Sequence, residues 1–507
     1  MNFSEYLACD ATAMAQAVAR GEVQPAQLLD LALAQQQRVH GRINAICRLM
    51  EAEARTRIAE PRDNGPAARL LGGVPFLIKD ISHDYAGVPT THGSRGLRDF
   101  VPREHSVVVR RLLEAGAVIF GKTNLPELAL KAVTDARLFG PCSNPWDLAR
   151  TPGGSSGGAA AAIAAGIVPM ATANDGGGSI RIPAAYCGLF GLRPSRGRIS
   201  AGPAQGQVWH GASSEGVISR SVRDTALALD VLCGHEPGEP YAVAAPAVGF
   251  VACLARPPRR LRIGLSSASP IGTPVEAEAV AAVEGAAALL RGLGHEVEEA
   301  TPDIDGIDLA KSYLHMYFGV VAAMVGAARA RGARAADFEP LTRMIETLGH
   351  CVSAGTLTRE LEKWNRYARA LAAFHRRYDL LLTPTVAGPA PLHGAGDLQP
   401  MELYALEILQ RTGLLAALAR RGLLDSTITR ILAQNLKYVP FTQLANLTGT
   451  PAMSVPLHWT AAGLPLGVQF VAPVGDEATL LQLAHQLEQA QPWMHRLPAW
   501  VARAGTA

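Results

Sequence analysis

Three short stretches of this 507-residue chain carry groups that could act on an acyl carbon. In GVPFLIKD (73–80) an apolar, β-favouring run ends on Lys79. In PGGSSGG (152–158) Ser155 and Ser156 sit inside a glycine turn. In NDGGGSIRIP (174–183) three glycines, Ser179 and Arg181 lie between the apolar stretches VPMATA and IRIPAAYCGLFG. A serine hydroxyl is a weak nucleophile until an adjacent base takes its proton. A lysine can be that base only when uncharged, and its ordinary pKa of about 10.4 forbids this near neutral pH. Burial disfavours the ammonium form, and the VPFLI lead-in supplies burial. A glycine run costs conformational entropy, so it must supply flexibility or geometry in return. A flexible linker would have polar flanks; these flanks are packed. The run is therefore read as geometry, a backbone whose successive N–H groups converge on one anionic oxygen. Arg181 needs a partner among its apolar neighbours, because an unpaired buried charge is very costly, and Asp175 is the nearest candidate.

Taken together, the stretches resemble the amidase signature family, whose members use a Ser–Ser–Lys triad. The resemblance runs almost unbroken through PGGSSGGAAAAIAAGIVPMATANDGGGSIRIPAAYCGLFGLRPSRGRIS. It extends upstream to LGGVPFLIKDISHDYAGVPTTHGS and downstream to NLTGTPAMSVPLHWTAAGLPLGVQFVAP, so effectively the whole chain is covered. By position it implies Lys79 as the base, Ser155 as a bridging serine behind a cis peptide bond, and Ser179 as the nucleophile that is acylated. It implies an oxyanion hole built from Gly176, Gly177, Gly178 and Ser179, with Ser156, Asp175 and Arg181 supporting the site without reacting. It implies no metal or organic cofactor and no role for any of the 14 histidines. The implied fold is an α/β/α sandwich, a large mixed twisted sheet with helices on both faces. The implied reaction is hydrolysis of the C–N bond of small, largely apolar amides. Cyclic amides, anilides, carbamates (urethanes) and esters fall within reach through a shared tetrahedral intermediate. One branch of the family, the A-type glutaminase subunit of glutamyl-tRNA amidotransferase, typically has Gln where this chain has Ile182. The form NDGGGSIRIPA, with Asn174 and Ile182, is more similar to stand-alone nylon-oligomer and aryl-amide hydrolases. Pocket walls are expected from Leu128, Ala129 and Leu130, from Trp209 in PAQGQVWHG, and from Tyr317 in a helix around SYLHMYFG.

Two other motifs are weaker than they look. GAVIFGKT (116–123) fits the phosphate-loop pattern, but such a loop follows a strand and opens a helix. Here the intervening Ala117–Phe120 form the strand themselves. GGSSG (153–157) fits a nucleophile elbow with Ser155 as the nucleophile of an esterase, yet an elbow follows a buried strand. The preceding CSNPWDLARTP holds two prolines and several polar groups, which a central strand does not accept. The elbow reading stays as a rival because it moves the acylated residue from Ser179 to Ser155.

The elements that must hold these groups alternate helix, glycine stop and apolar strand, as at 106–124, 157–175 and 274–300, which argues for an α/β fold. Residues 5–60 read as two or three helices, 376–391 as a strand entering a proline-rich loop, 449–473 as two strands, and 477–490 as an amphipathic helix. One domain over 1–507 is expected: N-terminal helices to 60, a signature core over 61–235, a variable pocket region over 236–440 and C-terminal strands and helix from 441. A net charge of +3 gives no reason to expect nucleic acid. The 15-residue apolar stretch 159–173 is broken by Pro169 and is too short to span a membrane, which takes about 20 residues. Seven scattered cysteines and no basic-then-apolar start point to a cytoplasmic enzyme. A small amide is its expected partner, and a homodimer is left open.

Overall fold

Short segments between the helices become eleven strands of one sheet in the computed structural model, which describes residues 1–60, 70–395, 400–420 and 436–502. In chain order these are β1 (Ile46–Leu49), β2 (Pro75–Lys79), β3 (Val118–Thr123), β4 (Met170–Asp175), β5 (Phe190–Arg193), β6 (Ser214–Ser219), β7 (Arg262–Leu265), β8 (Glu296–Glu299), β9 (Leu380–Pro384), β10 (Ala452–Trp459) and β11 (Pro465–Val471). They lie in the order β1-β3-β2-β4-β6-β5-β10-β11-β9-β7-β8. Pairing is parallel for β2 with β3 and β4, and for β7 with β8 and β9, and antiparallel elsewhere. Helices cover both faces, so the central strands are buried along their whole length.

This topology places the three stretches together. β2 lies between β3 and β4, and because β2 and β4 run parallel their carboxyl ends emerge side by side. Lys79 ends the first and Asp175 the second. The connection from β3 to β4 carries the alanine-rich helix Gly157–Ala164, whose entry turn is the GGSSGG segment. In open α/β sheets the crevice beyond the carboxyl ends of parallel strands is where ligands bind.

One expectation needs adjusting. The N-terminal stretch holds four helices, Phe3–Ala8, Ala11–Ala19, Pro25–Ile43 and Glu51–Ala59, and also an edge strand, β1, whose four residues are too few for periodicity to reveal. The region 236–440 contributes β7, β8 and β9 to the same sheet as the signature core. The boundary expected after residue 60, and the parts of the pocket region at 396–399 and 421–435, lie outside the described residues. No described helix is long and apolar enough to cross a membrane.

Phe470 is fully buried in β11, between β9 and β10. Phe470→Ala is expected to lower stability by about 3–5 kcal/mol through lost burial and an unfilled cavity, measured by urea unfolding against the wild type.

Candidate active site

Lys79 is 0% exposed at the end of a strand whose five residues are all buried. Its Nζ lies 2.8 Å from Ser155 Oγ, 2.8 Å from Ser156 Oγ and 2.7 Å from Asn174 Oδ1. No carboxylate forms an ion pair with it among the described residues. Burial therefore lowers its pKa to about 7, against the pull of the Glu215 and Asp175 charges, which favour the ammonium. Lys122 offers the contrast. It is equally buried, but its Nζ lies 3.6 Å from Asp80 and donates to Thr90 Oγ1 at 2.6 Å. It is a structural lysine inside β3 rather than part of a phosphate loop.

The three contacts of Lys79 can be sorted chemically. An uncharged amine has two N–H donors and one lone pair. Ser156 sends its own proton to Asn174 O at 3.4 Å, so its oxygen is free to accept from the amine. The Asn174 side-chain oxygen can only accept. Ser155 remains as the hydroxyl that can donate to the lone pair. The arrangement can thus take a proton from Ser155.

Behind the amine, the Lys79 main-chain N–H donates to Thr172 Oγ1 at 2.9 Å, and Thr172 Oγ1 lies 2.8 Å from His83 Nδ1. His83 Nε2 lies 2.7 Å from Glu215 Oε2. Glu215 stands directly across the β4–β6 ladder from Asn174, so its charge acts from the next strand.

Ser155 is buried and follows a cis peptide bond at Gly154. A side chain at Gly154 would place its Cβ 2.6 Å from Val133 O, so the 131–133 segment lies directly on this turn. Only isolated bridges, Asn144 with Asp147 and Arg150 with Leu392, precede Ser155, and no strand leads into it as an elbow requires. Ser179 is half-buried. Its hydroxyl has no hydrogen-bond partner among the described residues, and it opens into a cavity of about 180 Å³ that Gly154 and Gly177 also line.

The glycine run is gripped from below. The Gly178 N–H donates to Asp175 Oδ1 at 2.7 Å, while Gly177 O accepts from Thr442 Oγ1 at 2.6 Å and Gln443 Nε2 at 3.3 Å. The Gly177–Gly178 peptide is thus held at both edges. Gly178 consequently leaves the expected set of oxyanion donors, because its N–H already serves a carboxylate. The N–H groups of Gly176, Gly177 and Ser179 have no such acceptor among the described residues. Gly178 has φ +128°, a conformation that favours glycine.

Arg181 pairs with Asp175 through Nε at 2.9 Å and Nη2 at 2.9 Å. Its remaining donors reach Thr442 O, Gln469 Oε1 and Asn446 Oδ1, so all five N–H groups of a fully buried guanidinium are engaged. Burial alone would raise the Asp175 carboxyl, but Arg181 outweighs it and holds that carboxyl well below the usual carboxylate range.

Of the expected pocket residues, Ala129, Leu130, Trp209 and Tyr317 line the cavity, and Leu128 does not. Leu128 and Ala129 adopt φ +49° and +60° in succession, which turns Leu128 into a buried cluster and leaves its two successors facing the cavity. Sequence reasoning also missed Asn174 as a partner of the amine, Glu215 and Thr442. Asn174 had a signal: Thr172 and Asn174 are polar at i and i+2 on one face of an otherwise apolar strand. Thr442 had none, being more than 260 residues from the glycines it holds.

Asp175→Asn would leave the buried guanidinium without its counter-charge. A loss of about 3–5 kcal/mol is expected in urea unfolding at pH 7. Because the folded carboxyl is depressed, its contribution is complete above the unfolded value of about 4 and declines as pH falls below it. The gap between wild type and variant should narrow in that acidic window.

The family model Amidase matches residues 27–425 and 420–481. A 6-aminohexanoate-cyclic-dimer hydrolase of Pseudomonas sp. (strain NK87) is 34% identical over 499 residues, covering 96% of each chain. The A-type glutamyl-tRNA(Gln) amidotransferase chain of Synechococcus sp. (strain WH7803) is 35% identical over 509 residues, covering 95% of this chain and 97% of its own. Among solved structures, 6-aminohexanoate cyclic dimer hydrolase complexed with substrate superposes with a TM-score of 0.86 at 32% identity, covering 98% of this chain and 99% of that one. With a buried lysine, paired serines and a glycine run on this sheet, and with matches over nearly its whole length, the chain belongs to the Amidase family and is a hydrolase of carbon–nitrogen bonds.

Proposed function

We propose that the chain is a free-standing amidase acting on small, largely apolar amides through an acyl-enzyme on Ser179. The observation that carries this reading is the Lys79 amine held at 2.7–2.8 Å by three uncharged side chains. Ser155 gives its proton to Lys79 and accepts that of Ser179 as Ser179 Oγ bonds to the acyl carbon. The carbonyl oxygen becomes anionic beside the N–H groups of Gly176, Gly177 and Ser179, donors already in place before charge develops. The proton then returns through Ser155 to the nitrogen as the C–N bond breaks and the amine departs. Water attacks the Ser179 ester by the same relay, releasing the acid and restoring neutral Lys79. The unpartnered Ser179 hydroxyl is free to turn toward Ser155 when substrate arrives, and hydrogen bonds of this kind commonly tighten only in the complex.

An apolar substrate fits the cavity wall, where Trp209, Tyr313, Tyr317, Phe318 and Ile345 are neighbours and Ile182 stands where the amidotransferase branch carries Gln. Carbamates and esters belong to the same reading because they pass through the same intermediate. The elbow alternative is disfavoured by exposure: Ser155 is buried, whereas Ser179 lines the cavity. Seven free cysteines favour a reducing, cytoplasmic setting.

Fluorophosphonate labelling with peptide mapping tests the assignment. The adduct is expected on Ser179 and absent from Ser179→Ala; an adduct on Ser155 overturns it. With Lys79 titrating at about 7, kcat/KM should rise through that pH to a plateau. Glu215→Gln removes a charge that favours the ammonium, so the acid limb should move to lower pH, and an unmoved limb contradicts the role given to Glu215.

A further inference from the structure

The hydroxyl of Tyr313 serves none of the roles above. Tyr313 lies on the helix Gly306–Ala330 and is 8% exposed. Its ring stacks on that of Tyr317, one turn later, with centroids 6.0 Å apart. Tyr317 donates its hydroxyl to Leu130 O at 2.5 Å and so belongs to the cavity wall. The Tyr313 hydroxyl has no hydrogen-bond partner among the described residues, and the residue lines the cavity, so the hydroxyl is free to bond to what enters it. It rests instead on the glycine run: a Cβ at Gly177 would stand 2.2 Å from the Tyr313 oxygen. Glycine at 177 is therefore what admits the phenol. Tyr313, Gly177 and Ser179 line the same cavity. Burial, with the Asp175 charge behind it, pushes the phenol pKa up, so the group keeps its proton across the working range.

We infer that the Tyr313 hydroxyl touches substrate, donating a hydrogen bond to the oxygen that becomes anionic when Ser179 adds to the acyl carbon. It supplies from a side chain the donor that Gly178 cannot, since the Gly178 N–H is engaged by Asp175. No bond forms or breaks at Tyr313, and its proton stays on the phenol oxygen. The inference rests on Ser179 as the nucleophile. A ring that merely walls the cavity would tolerate losing its hydroxyl; a donor to the developing charge would not, and removing one such donor elsewhere lowers turnover about 10²–10³-fold.

Tyr313→Phe keeps the ring and its stacking, so an unchanged melting temperature suffices to show that folding is intact. The probe is an alkyl fluorophosphonate, whose phosphoryl oxygen takes the place of the anionic oxygen once Ser179 is modified. The maximal inactivation rate should fall by about tenfold or more, while the half-saturating concentration stays within about threefold. A maximal rate within about threefold of wild type overturns the inference, as does a change confined to half-saturation, which would mark a wall contact. Absence of a Ser179 adduct in the wild type is a separate failure, that of the nucleophile assignment itself.

Discussion

The removal of one lysine amine from water, without giving it a counter-ion, is the constraint on which the site depends. Two lysines end up buried on neighbouring strands of this sheet. Lys122 keeps Asp80 at 3.6 Å and the company of a charge. Lys79 meets only two hydroxyls and an amide oxygen, and burial lowers it to about 7. A pKa lowered from the ordinary lysine value of about 10.4 to about 7 corresponds to a preference for the uncharged form about 5 kcal/mol stronger than in water. That preference is what makes a lysine usable as a base near neutrality, and it requires the all-buried strand β2, the parallel neighbour β4 and the alanine-rich helix packed on them.

The glycine run solves a second problem, holding a backbone still where side chains cannot fit. From below, Asp175, Thr442 and Gln443 fix the Gly177–Gly178 peptide, and Arg181 holds Asp175 with every donor engaged. From above, a Cβ at Gly176 would strike the Trp209 ring at 2.8 Å, and one at Gly177 the Tyr313 hydroxyl. A buried ion pair adds little stability for its own sake, because desolvation offsets much of the attraction. In the proposed mechanism its effect is to keep donors and cavity wall in register, so that little reorganisation is needed as charge develops.

Much of this was legible in the residues. Glycine stops divided helix from strand correctly at 106–124, 157–175 and 274–300, and the helix Glu477–Ala490 matches its periodicity end to end. The partnership of Arg181 with Asp175 followed from the cost of a bare buried charge. What escaped depends on chain distance or on single dihedral angles. Gly178 looked like a donor to substrate because the sequence does not reveal that a carboxylate three residues earlier folds back onto its N–H. Leu128 looked like pocket wall because two successive left-handed residues are invisible in the letters ELAL. Thr442 and Glu215 reach the site from remote segments, and no local pattern marks them.

The central claim concerns the charge state of Lys79, and it can be read directly. With only six lysines in the chain, lysine labelled with ¹³C at Cε gives few NMR signals, and comparison with Lys79→Met assigns the one that matters. A titration midpoint near 7 is predicted for that signal. A midpoint near the ordinary value of about 10.4 would show an amine that stays charged at neutral pH, and would contradict the account.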